Sequence, residues 1–299
     1  MSKVFGIIGH AHDSTVAYME DGEIKCVIEE ERIRKTKSAY LTGVYPVFSL
    51  DYIENLGYKL EDADYICIPE VAEPDFDRYK SDEIRRKIVT YPHHLCHAAG
   101  AYYTSGFEEK TLVVTHDGSG STVVGRVYLG EDNKLELVHK QMRGTGSIGE
   151  FYGVATKYFA PKGANWIPLK DEGKLMGMAG HGNYDINIYN MLKQLLYYEG
   201  FSIRADWAFN LQKLVEDCFL QYLDDLHKLY PEYKKIAVAG GIFANVKMNQ
   251  KINELDWVDE LYVYPPMGDS GLALGAALKK SAELNEWKTK RFENVFLGN

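Results

Sequence analysis

The hydrophobic positions of this chain follow two periods, and the two periods alternate along its length. Short apolar runs bounded by turn residues predict strands at residues 4–8, 15–19, 23–28, 64–68, 111–115, 134–139, 235–238 and 260–264. Helical spacing predicts helices at residues 46–56, from Pro92 to a break at 105–106, after the glycine-rich residues 144–149, and at 206–226, 247–255 and 272–284. Alternating strands and helices indicate the α/β class.

Two predicted β-hairpins have similar sequences and stand about a hundred residues apart. An apolar strand, a His-Asp turn, Ser-Thr-Val and a second strand follow one another at residues 4–19 and again at 111–125. The tips offer backbone N–H groups and hydroxyls that suit phosphate, at Ser14 and at Gly118, Ser119 and Gly120. By analogy, duplicated hairpins of this kind hold a nucleotide between the two lobes of the actin, sugar-kinase and heat-shock ATPase (ASKHA) architecture.

The predicted helix after Pro92 carries candidate metal ligands. His93 and His97 are four residues apart, so a helix presents both imidazoles on one face, while His94 points elsewhere. Asp117 follows the apolar run 111–115 and is expected at the end of that strand, entering a glycine-rich turn. Two imidazoles and a carboxylate can converge on one cation. The alternative is a helix start whose histidines are satisfied by backbone carbonyls and water.

Further motifs lie in the second half of the chain. The small residues around Lys174 and His181 predict a close backbone approach, and Asp206 is expected to cap the long helix. Gly240 and Gly241 join a strand to a helix whose amino end suits an anion or a ribose. Asp269 follows the last strand, where ligands of α/β sheets gather, although it could equally cap the next helix.

Composition and charge limit the classes of protein to which this chain can belong. The 299 residues include 45 % hydrophobic residues without an apolar run near membrane-spanning length, and the net charge of −9 disfavours a general nucleic-acid binder. The start of the chain does not resemble a signal peptide. The four cysteines show no Cys-x-x-Cys spacing, which suits reduced thiols and predicts a cytoplasmic protein, with Cys96 as a packed side chain. The charged run 29–38 is interpreted as a solvated turn.

Several motifs together resemble a known family. The segments HDSTVAYMEDGEI, EEERIRKTK, HHLCHAAGAYYTSGF, DGSGS, EGKLMGMAGHG, AGGIFANVKMN, PPMGDSGLALGAAL and NVFLG occur in order over nearly the whole chain. They resemble the amino-terminal domain of the ATP-dependent O-carbamoyltransferases of the nodulation and antibiotic-tailoring type. That domain is similar to the TsaD transferase, which makes threonylcarbamoyladenosine in tRNA. The resemblance implies duplicated RNase H-like lobes of the ASKHA architecture, expected here at residues 1–109 and 110–299.

The resemblance also implies a site and a reaction. It implies an iron or another divalent ion held by His93, His97, Asp117 and Asp269, with the nucleoside of ATP or carbamoyladenylate beside Gly240, Gly241 and Asn245. A carbamoyl group would pass from carbamoyladenylate, made from carbamoyl phosphate and ATP, to a hydroxyl of a small-molecule or nucleotide acceptor. His12 with Asp13 is the candidate base, and candidate phosphate or carbamoyl contacts are Lys37 and Lys174.

The chain departs from the family pattern at its end. Family members continue after a stretch like NVFLG into a YrdC-like domain that makes carbamoyladenylate, whereas this sequence stops at Asn299. We therefore expect either a separate YrdC-like protein as partner or a narrower activity. A TsaD-like transferase acting on tRNA and a non-catalytic nucleotide-binding subunit remain alternatives. The resemblance also makes a homodimer plausible.

Overall fold

The first sheet is built around strand β1, which pairs on both of its sides. The computed structural model describes residues 2–9, 13–36, 47–70, 81–120, 123–142, 147–161, 163–168, 170–195, 205–295 and 297–298. Its first five strands are β1 (Lys3–Ile8), β2 (Thr15–Glu20), β3 (Glu23–Glu29), β4 (Tyr65–Pro69) and β5 (Ile88–Tyr91). Their order is β3-β2-β1-β4-β5, with an antiparallel meander on one side of β1 and parallel strands on the other.

The second sheet repeats this topology. Its strands are β6 (Thr111–Gly120), β7 (Val123–Glu131), β8 (Lys134–Met142), β9 (Lys235–Ala239) and β10 (Glu260–Val263). Their order is β10-β9-β6-β7-β8, again with a meander on one side of the first strand and parallel strands on the other. The α/β class and the duplicated, ASKHA-type arrangement of two five-stranded sheets are thereby confirmed.

The same turn chemistry closes the second turn of each meander. Asp21 and Gly22 have φ values of +53° and +71°, and Asp132 and Asn133 have φ values of +51° and +61°. Two successive positive φ angles match the right-handed twist of antiparallel strands, and Asp, Asn and Gly tolerate them best. Local sequence therefore specifies both of these turns.

Ten helices complete the described part of the chain. They are α1 (Glu30–Arg34), α2 (Val47–Asn55), α3 (Asp82–Arg86), α4 (His93–Ser105), α5 (Ile148–Tyr158), α6 (Glu172–Ala179), α7 (Ile186–Leu195), α8 (Ala205–Leu229), α9 (Val246–Asn253) and α10 (Leu272–Glu283). Single 3-10 turns occupy Leu60–Asp62, Gly241–Ala244 and Asp269–Gly271. None of the helices in these described segments is both long and apolar enough to cross a membrane.

Helices α4 and α10 cross at very short range, and this crossing joins the two sheets. Helix α10 packs on β1, β2 and β4, while α4 packs on β6 and β9. A Cβ atom placed on Gly275 of α10 would lie 2.0 Å from the backbone oxygen of Cys96 in α4. One placed on Gly6 of β1 would lie 1.9 Å from the backbone oxygen of Ala273. Glycine at these positions lets the backbones approach closely.

The chain after α10 satisfies the free carbonyl groups at the end of α4. The backbone N–H groups of Lys290 and Phe292 donate to the carbonyl oxygens of Tyr103 and Thr104. The Trp287 indole N–H also donates to Tyr103, at 3.1 Å. A helix end leaves its last carbonyls without internal partners, so this segment stabilises the carboxyl end of α4 inside the protein.

Two local predictions are corrected by the structure, and a third is confirmed at one position only. Asp117 lies within β6, where the pairing with β7 is irregular between His116 and Gly120, and not in a turn after the strand. Asp206 lies in the first turn of α8, and its carboxylate accepts the backbone N–H of Asn183. The close backbone approach predicted around Lys174 and His181 occurs at Gly182, where a Cβ atom would lie 2.2 Å from the backbone oxygen of Ala205, and not at Gly177 of α6, where no atom lies within 4 Å of a Cβ.

The charged run at residues 29–38 is only partly a solvated turn. The Glu30 side chain is fully buried, and its carboxylate accepts hydrogen bonds from the backbone N–H and the hydroxyl of Ser49 at 2.8 and 2.7 Å. Glu30 also donates its backbone N–H to the carbonyl oxygen of Ser14. It therefore holds the amino end of α2 against the tip of the first hairpin.

The four cysteines are free, as the sequence predicted for reduced thiols. Cys96 is completely buried, and burial raises the pKa of its thiol well above the ordinary value. It is the packed side chain that its helical position indicated. The division into lobes at residues 109 and 110 stays a prediction; the strands divide there, while α10 packs on the first sheet.

We expect Gly275→Ala to destabilise the protein by about 1–3 kcal/mol, because the added methyl group must displace the α4 backbone. The matched control is Gly177→Ala in α6, where the same methyl group has open space. That variant should gain about 0.5–1 kcal/mol, since alanine favours a helix more than glycine does. Urea unfolding of both variants measures the difference, and equal effects would contradict the proposed close crossing.

Candidate metal and nucleotide site

Four candidate ligand side chains from three parts of the chain meet at the amino end of α4. His93 and His97 come from α4, Asp117 from β6, and Asp269 from the 3-10 turn that precedes α10. One ligand atom from each lies within 4.8 Å of every other. His93, His97 and Asp117 are buried, and the Asp269 side chain is 26 % exposed. The cluster therefore opens to one side, next to Asp269.

The ligand atoms face a common point. His93 Nε2 is 3.1 Å from Asp117 Oδ2 and 3.5 Å from Asp269 Oδ1. His97 Nε2 is 2.9 Å from Asp117 Oδ2 and 3.3 Å from Asp269 Oδ1. Despite the short distance to Asp117, His97 Nε2 lacks the direction of a hydrogen bond and has no other described partner. Two imidazole nitrogens and two carboxylates form a donor set that suits a divalent transition metal.

The cluster holds opposite charges in a buried place. Burial lowers the pKa of His97, but the Asp117 and Asp269 carboxylates outweigh burial and raise it to about 9. Burial raises the pKa of Asp117, but His97 and His93 outweigh burial and hold it well below its ordinary value. The metal-free cluster therefore keeps both Asp117 ionised and a proton on His97 at neutral pH. A cation entering this site replaces that proton.

His94 makes different contacts from His93 and His97 and is not part of the four-residue cluster. Its Nε2 donates to the carbonyl oxygen of Val123 and its Nδ1 lies 3.0 Å from the Thr115 hydroxyl, both at hydrogen-bonding distance. Burial lowers the pKa of His94 to about 3, so the ring stays neutral. His94 thus fixes α4 against the second sheet, as expected for a histidine that points away from the cluster.

Asp117 connects the cluster to the glycine turn after β9. Its Oδ1 accepts the backbone N–H of Gly241, while its Oδ2 faces the two imidazoles. Gly240 has φ +113°, and a Cβ atom there would lie 2.2 Å from the backbone oxygen of His116. Only glycine fits this position, for both reasons. The turn therefore brings the exposed Gly241 directly beside Asp117.

The irregular part of β6 is held by the start of α5. The Ser147 hydroxyl lies 3.2 Å from the carbonyl oxygen of Asp117 and 2.9 Å from that of Gly118. Ser147 Oγ also accepts a hydrogen bond from the backbone N–H of Glu150 and so caps α5. A Cβ atom on Gly149 would lie 2.8 Å from the backbone nitrogen of Gly118. The tip of the second hairpin and the amino end of α5 are thus in direct contact.

The first hairpin faces the Asp269 loop across a cleft. Asp13 and Ser14 line a cavity of about 230 Å³ together with Gly268 and Ser270, the chain neighbours of Asp269. Ser14 is 3 % exposed, and its hydroxyl has no hydrogen-bond partner within the described segments. Asp13 and Ser14 of the first hairpin therefore lie next to the Asp269 loop, while Asp117 of the second hairpin belongs to the four-residue cluster itself.

Asn245, which follows the glycine turn in the sequence, belongs to a network of side-chain hydrogen bonds with α8. Its side chain caps α9 by accepting the backbone N–H of Met248. It also exchanges two hydrogen bonds of 3.0 Å with Gln212 of α8. Gln212 is held in turn by Tyr152 and Glu216. This network fixes the orientation of the half-buried Asn245 amide beside Gly241.

The remaining predicted site residues are either outside the described part of the chain or not in contact with the four-residue cluster. His12 and Lys37 lie outside the described residues, as does the side chain of Ser119, while Gly120 is the last residue of β6. Lys174 is 59 % exposed, and its ammonium group is 2.7 Å from the Asp171 carboxylate. Lys174 thus forms an ion pair with the residue before its own helix and not with the four-residue cluster. The function of all these residues stays a prediction.

Sequence reasoning missed three residues that shape the site. Ser147 had a usable signal, because a serine three residues before a glutamate is typical of a helix start. Glu30 stands among charged residues and gave no sign that it is buried. Gln212 pairs with Asn245 across 33 residues of chain, which local pattern cannot reveal.

Solved structures with a related fold support the class of architecture. The activator of the 2-hydroxyisocaproyl-CoA dehydratase from Clostridium difficile, solved with ADPNP, aligns over 98 % of this chain and 99 % of its own, with TM-score 0.55 and 16 % identity. HypF from T. kodakarensis aligns over 97 % of this chain and 49 % of its own, with TM-score 0.59 and 12 % identity. At these identities the likeness shows the fold, which is the two-lobed ASKHA fold.

The family follows from the sequence comparison. The family model for the carbamoyltransferase N-terminus matches residues 45–208 and 198–278, so the chain belongs to this family. The uncharacterized protein MJ1058 of Methanocaldococcus jannaschii is 32 % identical over 68 % of this chain and 39 % of its own length. The nodulation protein NolNO of Sinorhizobium fredii is 24 % identical over 96 % of this chain and 49 % of its own. The chain spans about half the length of such relatives or less.

We expect the protein to bind one divalent metal ion and His97→Ala to weaken that binding by at least about 100-fold, since a direct ligand matters more than its supporting groups. The matched control is His139→Ala, which removes an exposed histidine from β8. Titration with Fe²⁺ or Mn²⁺, followed by calorimetry and metal analysis, measures both. Equal affinities in the two variants would exclude the four-residue cluster as the metal site.

Metal affinity should also depend on pH in a defined direction. Because the pKa of His97 is raised to about 9 without metal, the ring carries a proton below that pH and the metal must displace it. The apparent affinity should fall by roughly ten-fold for each pH unit below about 9. Dissociation constants measured at several pH values give this slope. His97→Ala should lose this contribution, whereas an unchanged slope in that variant would contradict the assignment.

Proposed function

We propose that this chain transfers a carbamoyl group from carbamoyladenylate to a hydroxyl group of a small-molecule acceptor. The observation that carries the proposal is the convergence of His93, His97, Asp117 and Asp269, in a chain of the carbamoyltransferase N-terminal family. The ASKHA fold supports a nucleotide in the cleft between these elements. Carbamoyladenylate would arise from carbamoyl phosphate and ATP, on another domain or on a separate YrdC-like protein.

The bonds that change define what the site must do. The acceptor oxygen attacks the carbamoyl carbon, the bond from that carbon to the phosphate oxygen of AMP breaks, and the acceptor proton passes to a base. The products are the O-carbamoylated acceptor, AMP and a proton. AMP leaves with additional negative charge on its phosphate, so the site must stabilise charge at that oxygen.

The four-residue cluster would hold a divalent metal ion, with iron as the expected ion. When bound, such an ion supplies positive charge next to the phosphate of the leaving AMP. The fit rests on the four convergent donors and on His97 Nε2, which has no hydrogen-bond partner within the described part of the chain. The Asp269 side, which is partly exposed, is where substrate would approach.

Residues around the cluster would position the nucleotide. The Gly241 N–H is held by Asp117, so movement of the glycine turn and of the metal ligand is coupled. The Gln212 pairing uses one N–H of the Asn245 amide and leaves the other N–H as a donor to the nucleoside. Ser14 and the backbone of Gly118 offer donors to phosphate from the two hairpin tips. Lys37 and Lys174 remain candidate contacts to phosphate or carbamoyl oxygens.

The proposed base is His12, next to Asp13 on the first hairpin. Asp13 lines the cleft beside the Asp269 loop, which supports a base at this end of the site. Replacement of His12 by alanine should slow transfer by about 10²–10⁴-fold, the usual contribution of general base catalysis. A full transfer rate in that variant would exclude His12 as the base.

We expect the metal-loaded protein to consume preformed carbamoyladenylate and release AMP, with glycerol or water as acceptor. Asp269→Asn should lower this rate by at least about 100-fold, because it removes charge from the open side of the cluster. The matched control is Glu136→Gln, which removes an exposed charge from β8. Mass spectrometry of AMP and of carbamoylated glycerol measures the reaction. Retention of the full rate in Asp269→Asn would contradict the proposed site.

A parallel incubation with ATP and carbamoyl phosphate tests the source of the adenylate. We expect neither carbamoyladenylate nor pyrophosphate from this chain alone. If both form, the chain carries both chemistries and the proposed division of labour is wrong. If the chain neither forms nor consumes the adenylate, the non-catalytic nucleotide-binding alternative is favoured.

A further inference from the structure

The buried side chain of Gln212 makes every hydrogen bond that an amide group can make. Gln212 lies on α8 and is 6 % exposed. Its Oε1 accepts the Tyr152 hydroxyl at 2.9 Å and Asn245 Nδ2 at 3.0 Å. Its Nε2 donates to Glu216 Oε1 at 2.8 Å and to Asn245 Oδ1 at 3.0 Å. Capping of α9 by Asn245 needs none of these contacts, so the network has another role.

The partners of Gln212 fix the direction of its amide. A carboxylate only accepts hydrogen bonds, so the Gln212 atom that faces Glu216 is the NH2 nitrogen. The other end is then the oxygen, which accepts the Tyr152 hydroxyl. Burial, together with Glu216 and Glu172, raises the pKa of Tyr152, so this hydroxyl keeps its proton at neutral pH and can donate it. Both contacts therefore agree on one orientation.

Gln212 and the helix cap together fix the direction of the Asn245 amide. Asn245 Oδ1 accepts the backbone N–H of Met248 at 3.1 Å and the NH2 group of Gln212. A reversed Asn245 amide would place its NH2 group against the Met248 N–H, donor against donor. One N–H of Asn245 is used by Gln212, and the other has no partner within the described residues. The half-buried Asn245 side chain thus offers a donor in a fixed direction.

This donor belongs to the same elements as the candidate metal ligand Asp117. Asn245 ends the 3-10 turn that begins at Gly241, and the Gly241 N–H donates to the Asp117 carboxylate. Tyr152 lies on α5, and Ser147 at the start of α5 contacts the backbone of Asp117. The amide network and the metal cluster are therefore attached to each other at two places.

We propose that Gln212 and Tyr152 are positioning residues of the nucleotide site, which hold the Asn245 amide so that its remaining N–H donates to an acceptor atom of the nucleoside. This inference rests on the proposed nucleotide in the cleft, and it adds the requirement that the nucleoside presents an acceptor to Asn245. Neither Gln212 nor Tyr152 has to touch the ligand. A donor that is oriented in advance loses little freedom on binding, which favours affinity.

Charged side chains surround the network on three helices. They are Glu172 of α6, Lys213 and Glu216 of α8, and Lys251 of α9. The two lysines pair with Asp217 and Glu254. Glu216 is the charged group in hydrogen-bond contact with the Gln212 amide. A carboxylate placed at position 212 would therefore be repelled by Glu216, and burial and this repulsion would raise its pKa.

Gln212→Glu tests the positioning role through the pH profile of adenosine binding. When ionised, the new carboxylate has no proton to donate to Glu216 or to Asn245 Oδ1, whereas its protonated form can donate again. We expect adenosine affinity relative to wild type to fall at least about ten-fold near pH 8 and to recover near pH 6. Equilibrium dialysis with the metal-loaded protein measures this ratio. Adenosine is the probe because it has no phosphate to contact the metal. An equal loss at both pH values would overturn the proposal.

Tyr152→Phe tests the same role without adding a charge. The substitution removes one of the two donors to Gln212 Oε1, and adenosine affinity should fall about three-fold or more, while metal affinity stays unchanged. The matched control is Tyr158→Phe, which removes a hydroxyl from a 38 % exposed position on the same helix. That variant should bind adenosine as the wild type does. Equal adenosine affinity in Tyr152→Phe and Tyr158→Phe would overturn the proposal, even if Tyr152→Phe unfolds at a lower temperature.

Adenosine binding also separates this inference from the proposed transfer reaction. If the wild type binds adenosine and both Gln212→Glu and Tyr152→Phe bind it equally well, only the positioning role fails. If the wild type binds neither adenosine nor AMP, the nucleotide site fails and the positioning role fails with it. If adenosine binding changes as expected but carbamoyladenylate is not consumed, the transfer function fails and the positioning role stands.

Discussion

The buried charge at the amino end of α4 is the constraint on which the rest of the site depends. Two carboxylates and two imidazoles within 4.8 Å cannot all be accommodated in a buried place unless a proton or a metal ion compensates the negative charge. Burial lowers the pKa of His97, but the Asp117 and Asp269 carboxylates outweigh burial and raise it, so without metal a proton on this ring provides the compensation.

The close crossing of α4 and α10 explains how ligands from distant parts of the chain can meet. Glycines at the crossing let the two helices approach within backbone contact, and α10 begins directly after Asp269. Since α10 also packs on the first sheet, the position of Asp269 relative to α4 is set by the main core of the protein. The segment after α10 then stabilises the other end of α4. The geometry of the site is thus a consequence of core packing.

The duplicated sheets place different chemistry on equivalent hairpins. In the second sheet, the irregular end of β6 carries Asp117 and contacts both α5 and the glycine turn. In the first sheet, the equivalent hairpin carries Asp13 and Ser14 and borders a cavity of about 230 Å³. One hairpin therefore supplies a candidate metal ligand, whereas the other lines the cavity next to the Asp269 loop.

Local sequence predicted the fold class and most of the strands and helices. Together with the family resemblance, it also predicted the four candidate metal ligands. The reason is that helical spacing, turn residues and apolar runs act over a few residues, as at His93 and His97 or at Asp132 and Asn133. Only the tertiary structure decided that Glu30 is buried, that Asp117 lies inside an irregular strand, and that Gln212 orients Asn245. Each of these depends on partners far along the chain, which no local pattern encodes.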